Sequence, residues 1–308
     1  MKRGRLFLFL LTCILPLQIL IAPPCLSADA APRQVTLAAV GDVLFARGVG
    51  MEIALHGAGY PFKTTQKIIR AQDLAFCNLE CVLSNGGTPH QRLFNFRADP
   101  GVAKSLRRGG FTIASLANNH ALDYGRESLL DTIAATKSAG VIPVGAGVNR
   151  ADALSVRVVS RHGLRVGFVA YSDFPTAKFD DRPTIAGVNS DEIPGQIREA
   201  KSKCDVLVVS FHWGVEYKKT PTERQQMLAH LCIDNGADLI LGHHPHVLQP
   251  VEVYKGKPIA YSMGGFIWDS HLSGADKSAI YIFNLGRSSA KLVREIPVRS
   301  VKSRPVLE

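Results

Sequence analysis

Short apolar runs alternate with amphipathic stretches through most of the chain. Residues 34–40, 74–77, 111–117, 141–144, 164–171, 205–210 and 238–241 are short and apolar, most of them β-branched or aromatic in character, and read as buried strands. Residues 64–73, 100–108, 126–139, 193–203 and 222–235 carry helical spacing, the last stopped by Gly236. Residues 93–98 alternate well enough for a strand. Runs at 155–160 and 164–171 flank Arg161-His162-Gly163, and runs at 247–254 and 257–262 flank Lys255-Gly256; both are hairpin signals. Runs at 279–284 and 291–298 close the chain as strands. The alternation predicts a layered α/β domain with a mixed sheet, or two sheets face to face with helices outside.

The polar residues fall at one kind of position in this pattern. The run at 111–117 switches at once to Asn118, Asn119, His120 and Asp123, with Asp123 and Gly125 reading as turn residues before the next helix. Open α/β sheets bind ligands at such carboxyl ends of strands. The layout recurs: Gly41-Asp42 ends the first run, and Asn78-Leu79-Glu80 ends the second. His212-Trp213-Gly214-Val215-Glu216-Tyr217 follows the run at 205–210, and Gly242-His243-His244-Pro245-His246 the run at 238–241. Asp42, Glu80, Asn119, His212, His244 and His246 together offer carboxylates, an amide oxygen and imidazoles. That mixture suits divalent Zn, Mn, Fe or Co, whereas Mg and Ca prefer oxygen alone. A carboxylate such as Glu80 can bridge two metals, which would clamp the attacking and leaving oxygens of a hydrolytic displacement. His120, beside a ligand, is placed to protonate a leaving group. Each piece alone has a bland reading as a turn cap or a satisfied strand-end histidine; the joint pattern argues for a site. His56, His90, His162, His230 and His271 lack that context and read as structural or surface residues.

The start of the chain stands apart. Lys2, Arg3 and Arg5 precede an apolar run from Leu6 to Ala22, and Ala28-Asp29-Ala30 has the small-x-small form of a signal-peptidase site. Residues 1–30 are expected to be a signal peptide, and residues 31–308 a single exported domain, periplasmic or extracellular. A retained anchor fits less well, since Pro16 interrupts a run near the lower limit for spanning a bilayer. Lipidation at Cys25 is disfavoured by Pro23 and Pro24. The net charge is +10; Lys2, Arg3, Arg5 and Asp29 contribute +2 of it, leaving +8 on residues 31–308. That excess favours polyanions or phosphorylated substrates. No dense basic run or nucleic-acid motif is present, so nucleic acid is not an expected partner. Cys77, Cys81, Cys204 and Cys232 read as buried thiols, although an oxidising compartment would permit disulfides.

These motifs, together with Tyr261-Ser262-Met263-Gly264-Gly265-Phe266, resemble the CapA family of bacterial capsule-synthesis proteins linked to poly-γ-glutamate, in order from about residue 35 to 269. That family in turn resembles the calcineurin-type metallophosphoesterases. The resemblance implies a four-layer α/β/β/α sandwich with mixed sheets and a site for one or two divalent metal ions. It implies Asp42, Glu80, Asn119, His212, His244 and His246 as metal ligands and His120 as the catalytic acid. Arg47, Glu216 and Tyr217 would line the substrate site. Two departures stand out. The phosphoesterases usually open with Asp-x-His, but Asp42-Val43-Leu44 has no histidine there. The capsule family usually shows Gly-Asn-Phe where this chain has Gly264-Gly265-Phe266.

Two functions compete. One is an exported, divalent-metal-dependent hydrolase acting on a phosphoester or amide bond of an anionic polymer such as poly-γ-glutamate. The other is a non-catalytic factor that binds the polymer for export or assembly, working with membrane-bound capsule-synthesis proteins. A third reading, histidines that are merely structural, leaves their gathering at strand ends without purpose.

Overall fold

The computed structural model describes residue 1 and residues 34–175, 181–269 and 274–308. The expected leader therefore lies outside the described residues apart from Met1. No described helix is long and apolar enough to cross a membrane.

In chain order the main strands are β1 (Val35–Val43), β2 (Leu74–Leu79), β3 (Ile113–Ser115), β4 (Ile142–Val144), β5 (Arg157–Arg161), β6 (Leu164–Ser172) and β7 (Val206–His212). They continue with β8 (Leu239–His243), β9 (Val251–Tyr254), β10 (Lys257–Ala260), β11 (Gly265–Ile267), β12 (Lys277–Gly286), β13 (Ser289–Val301) and β14 (Arg304–Leu307). The helices are α1 (Arg47–His56), α2 (Gln66–Arg70), α3 (Ala103–Gly109), α4 (Arg126–Ser138), α5 (Arg150–Leu154), α6 (Ile193–Ser202) and α7 (Glu223–Asp234). The first sheet runs β14-β13-β12-β1-β2-β3-β4, with β11 also paired to β1; the second runs β9-β10-β8-β7-β6-β5. Both are mixed. Strands β1 to β4 are mutually parallel, as are β6, β7, β8 and β10, while the flanking strands run antiparallel.

Alternation along the strands explains how the sheets pack. Leu37 and Ala39 of β1 join Phe76, Ile113, Val166, Phe168, Val208 and Leu241 in one apolar cluster drawn from both sheets. Phe76 and Phe168 meet there with ring centroids 6.1 Å apart. Ala38 and Val40, pointing the other way, pack with Val49 of α1, Leu106 of α3 and Leu129 of α4. On the second sheet Val169, Leu207 and Val209 pack with Ile193 and Ile197 of α6 and Leu228 of α7. Each large side chain so buried contributes roughly 1.5–3 kcal/mol.

Several expectations are corrected in detail. Strand β1 continues through Asp42 to Val43 instead of stopping before it. Gly41 makes this possible, because a Cβ there would sit 1.8 Å from the Gly264 carbonyl oxygen, which accepts the Asp42 N–H at 3.0 Å. The strand expected at 93–98 shrinks to Arg97–Ala98, with Leu93 and Phe94 exposed. Helix α1 was not foreseen: it contains two glycines and buries only Val49, so it carries little periodic signal. The four described cysteines are buried free thiols.

Candidate metal centre

Strand register assembles the site. Asp42 pairs with Asn78 on one side and Gly265 on the other, and His212 pairs with His243 in the second sheet. The rims of the two sheets then meet. His246 Nδ1 lies 2.9 Å from Asp42 Oδ2, and the His244 backbone N–H donates to the same oxygen at 3.3 Å. His244 Nδ1 is 3.1 Å from His212 Nε2, which is 2.9 Å from Asn119 Oδ1. Glu80 Oε1 lies 3.8 Å from His212 Nε2 and 3.6 Å from His246 Nε2. All six residues expected as ligands are thus brought together, and Asp42, Glu80, His212, His244 and His246 are buried.

Two overlapping trios, Glu80–His244–His246 and Asp42–Glu80–His212, have ligand atoms within 4.8 Å of one another and could hold a metal ion. Glu80 belongs to both. Its Oε1 is buried without a hydrogen-bond partner, a costly state for a carboxylate that coordination would relieve. The mixed oxygen and imidazole donors suit a borderline divalent ion.

The electrostatics divide the two acids. Burial alone would raise the Asp42 carboxyl, but His243 and His246 beside it outweigh burial and hold it well below the usual range. Burial and the Asp42 charge push Glu80 well above its usual value. Burial and neighbouring imidazoles depress His212, and burial with His246 brings His244 down to about 3. The His212 and His244 rings are therefore neutral, as metal ligands must be.

His120 is 8% exposed, at the edge of the cluster. Its Nδ1 lies 2.7 Å from Asp123 Oδ2, and the Phe96 ring packs over it at 4.1 Å. The residues expected to line a substrate site are spread around the rim. Tyr217 is exposed, with its ring 6.1 Å from His246 and its N–H donating to Pro245 O at 2.8 Å. Glu216 is exposed beside it. Arg47 opens α1, with Nε 3.4 Å from Asp269 and its guanidinium near the Phe94 and Phe96 rings.

Sequence reasoning missed several participants. Asn78 was read only as a strand end, yet its Nδ2 donates to Asp42 Oδ1 at 2.8 Å and Glu80 Oε2 at 3.1 Å, and lies 3.3 Å from His212 Nδ1. Asn118 backs it, donating to Asn78 Oδ1 at 3.2 Å while its own Oδ1 accepts the His120 N–H at 3.0 Å. Asp123 was read as a turn residue; its spacing of three from His120 was the available signal. His243 places Nδ1 3.4 Å from Asp42 Oδ1. Trp268 stacks on His246 at 4.0 Å, and Phe174 packs against His244 at 4.2 Å with the ring planes inclined by 55°, contacts that no local pattern announces.

Both departures have a structural counterpart. Leu44, at the place of the absent histidine, is fully buried in the apolar cluster under the first sheet. At Gly265 a Cβ would lie 2.7 Å from both Cβ and Cγ of Trp268, so the tryptophan occupies the room a side chain would need.

Comparison with known proteins is consistent with this geometry. The family model described as bacterial capsule synthesis protein PGA_cap matches residues 36–270. The capsule biosynthesis protein CapA of Bacillus anthracis is 32% identical over 284 residues, covering 89% of this chain and 69% of that protein. The PGA biosynthesis protein CapA of Bacillus subtilis is 32% identical over 266 residues, covering 84% and 70%. Among solved structures, a hypothetical protein from Thermus thermophilus has a TM-score of 0.54 at 17% identity, covering 86% of this chain and 100% of that one, a likeness of fold.

Proposed function

The chain belongs to the bacterial capsule synthesis protein family, and from that premise we propose that it is an exported, divalent-metal-dependent hydrolase of capsule or poly-γ-glutamate synthesis. Its substrate is a phosphoester or amide bond of an anionic polymer. The fold is read as the four-layer α/β/β/α sandwich of the metallophosphoesterases, which the shared inter-sheet core and the helices on both outer faces support. The observation that carries the reading is Glu80 Oε1, buried, unpaired and common to both ligand trios.

Asp42, Glu80, Asn119, His212, His244 and His246 would hold the metal. Bound there, a divalent ion supplies Lewis-acid stabilisation and an activated water. The remaining work belongs to side chains. Asn78 donates to both carboxylates and fixes their facing edges. Asp123 accepts from His120 Nδ1 and orients the ring, leaving Nε2 to deliver a proton to the leaving group. Phe96 covers that ring and excludes water from one face.

The test is metal content and hydrolysis by purified protein, with a generic phosphodiester and poly-γ-glutamate as substrates and Mn, Zn, Fe or Co supplied in turn. Retained metal and metal-dependent turnover lost in His120→Ala are expected. No bound metal and no turnover with any of these ions defeats the proposal. Leu44 favours a second reading, polymer binding without catalysis, because hydrocarbon fills a place that would hold an imidazole. On that reading His120→Ala leaves capsule production intact.

A further inference from the structure

Arg157, Arg165 and Arg224 each sit on a carboxylate, of Asp152, Asp205 and Asp173 in turn. One concave patch departs from that arrangement. A concavity of about 380 Å³ has Arg70, Arg107, Arg108, Arg161, Asp73 and Thr112 among its lining residues. It lies at the amino ends of β2 and β3, since Asp73 directly precedes Leu74 and Thr112 directly precedes Ile113. The six residues of β2 separate Asp73 from Glu80. At roughly 3.3 Å per residue, the concavity is therefore about 20 Å from the ligand cluster.

Four guanidiniums share this space with one carboxylate, and that carboxylate is committed elsewhere. Asp73 Oδ2 accepts the Thr36 N–H at 2.8 Å and the Thr36 hydroxyl at 2.9 Å, and its Oδ1 lies 2.7 Å from His162 Nε2. Arg161 donates to the Ser160 carbonyl at 2.9 Å. Neither it nor Arg70, Arg107 or Arg108 has a carboxylate partner among the described residues, and all four are exposed. Helix polarity favours basic residues in the last turns of α2 and α3, where Arg70, Arg107 and Arg108 sit. It does not account for Arg161, which the β5–β6 hairpin of the other sheet brings to the same concavity. Like charges gathered in this way raise the local potential, and a polyanion relieves their repulsion. No aromatic or large apolar side chain lines the concavity among the described residues. It therefore lacks the stacking platform of a single-stranded nucleic-acid site and the apolar face that enters lipid. A flexible chain with a carboxylate on each unit needs neither, and guanidinium forks match its carboxylates in geometry and charge.

We propose that Arg70, Arg107, Arg108 and Arg161 form a second binding site, remote from the metal cluster, that holds an acidic polymer through carboxylates on several of its units. It rests on the reading of the protein as one that handles an anionic polymer, and it stands whether or not that polymer is cleaved. A chain held here keeps its other units close to the protein, which raises their effective concentration at the cluster. The excess of +8 on residues 31–308 agrees with such a ligand.

The experiment is binding of fluorescently labelled poly-γ-glutamate to manganese-loaded protein, wild type and variants, with inorganic polyphosphate, monomeric glutamate and phosphatidylglycerol vesicles as the other probes. The polymer should bind, more weakly as salt rises. Arg70→Gln/Arg107→Gln/Arg108→Gln should weaken it about five- to a hundredfold with metal content unchanged, and the matching lysine variant should keep most of the affinity. Arg161→Gln alone, at the end of β5, should cost about two- to fivefold and decides the matter if the triple variant folds poorly. Lys277→Gln/Lys291→Gln/Arg294→Gln takes the same charge from exposed positions on β12 and β13 and should change little. Equal losses in the two triple variants overturn the site, because net charge alone would then be at work. Unchanged affinity in the arginine variants overturns it too, as does monomeric glutamate competing equally at matched carboxylate concentration. Arginine-dependent binding of polyphosphate or of the vesicles, but not of poly-γ-glutamate, overturns the carboxylate assignment. Arginine-dependent polymer binding without any turnover would defeat the hydrolase and leave this site standing. Metal-dependent phosphodiester turnover without polymer binding would do the reverse.

Discussion

The first sheet reaches the cluster with oxygen, through Asp42, Glu80 and the Asn119 that follows β3. The second reaches it with nitrogen, through His212, His244 and His246. The halves are held differently. The oxygen half is laced by amides: Asn78 ties Asp42 to Glu80, and Asn118 ties Asn78 to the loop bearing His120. The nitrogen half is held by backbone geometry. His244 and His246 have φ of 95° and 56°, a left-handed region that non-glycine residues avoid. Asp42, which takes the His244 N–H and the His246 ring on one oxygen, is what compensates that strain. One carboxylate of the first sheet therefore organises the imidazoles of the second, whereas Glu80 Oε1 accepts no hydrogen bond from any of them.

The sharpest break of this asymmetry is Asp42→Ala. It removes a ligand and also frees His246, the His244 backbone and Asn78. Metal affinity should fall well beyond the roughly 10–100-fold typical of losing an outer partner, and turnover should vanish. His244→Ala removes a ligand while the Asp42–Asn78 pairing remains, so its loss should be smaller. Isothermal titration of the same ion into both variants decides, and equal losses would contradict the ordering. Next in size is His120→Ala, expected to lower turnover about 10²–10⁴-fold with metal content unchanged. If metal leaves with the ring, His120 is a ligand and not a proton donor.

The same contrast explains what could be read from the chain. Strands β6, β7 and β8 and helices α6 and α7 are strongly patterned, and their polar ends mark His212, His244 and His246 directly. Asp42, Glu80 and Asn119 were visible for the same reason. Asn78 and His243 were not: each sits beside a chosen residue, and only the sheet–sheet approach shows that its side chain reaches Asp42. Phe96, Phe174 and Trp268 are distant in sequence from the rings they cover, so no periodicity links them. Helix α1 escaped because a half-exposed segment with Gly48 and Gly50 has no apolar stripe.

Glu80 sharpens the comparison through pH. Its folded pKa lies well above the ordinary 4.5, raised by burial and then by Asp42. A carboxyl so raised favours folding while it keeps its proton, and that contribution is lost as pH climbs from 4.5 toward the folded value. His212 and His244 have the opposite shift, so their contribution is present above the ordinary 6.5 and lost as pH falls below it. In metal-free protein, Glu80→Gln should therefore raise Tm by about 3–6 °C at pH 7.5 and by little at pH 4. A gain that is the same at both pH values would show that Glu80 is not held neutral. In wild type, metal uptake must displace that proton, so affinity should rise with pH, and calorimetry in buffers of different ionisation enthalpy should show proton release.

The smallest effect is expected at Gly265, where the first sheet touches the nitrogen half through Trp268. The position pairs with Asp42 in register, and its φ is not in the left-handed region, so an asparagine there is barred by space and not by backbone conformation. The obstacle is the root of a buried side chain, Trp268 Cβ and Cγ at 2.7 Å, which cannot swing aside as a chain terminus would. Gly265→Asn should therefore cost about 1–3 kcal/mol, as overpacking does. It should also tilt the indole off His246 and weaken metal binding only a fewfold. Trp268→Ala removes the clash and the stacking together. In the double variant the asparagine should then cost less than it does beside the tryptophan, giving a coupling of at least about 0.5 kcal/mol in melting experiments. Strictly additive losses would mean that Gly265 and Trp268 do not share that space, and the indole would have no claim as the support of His246.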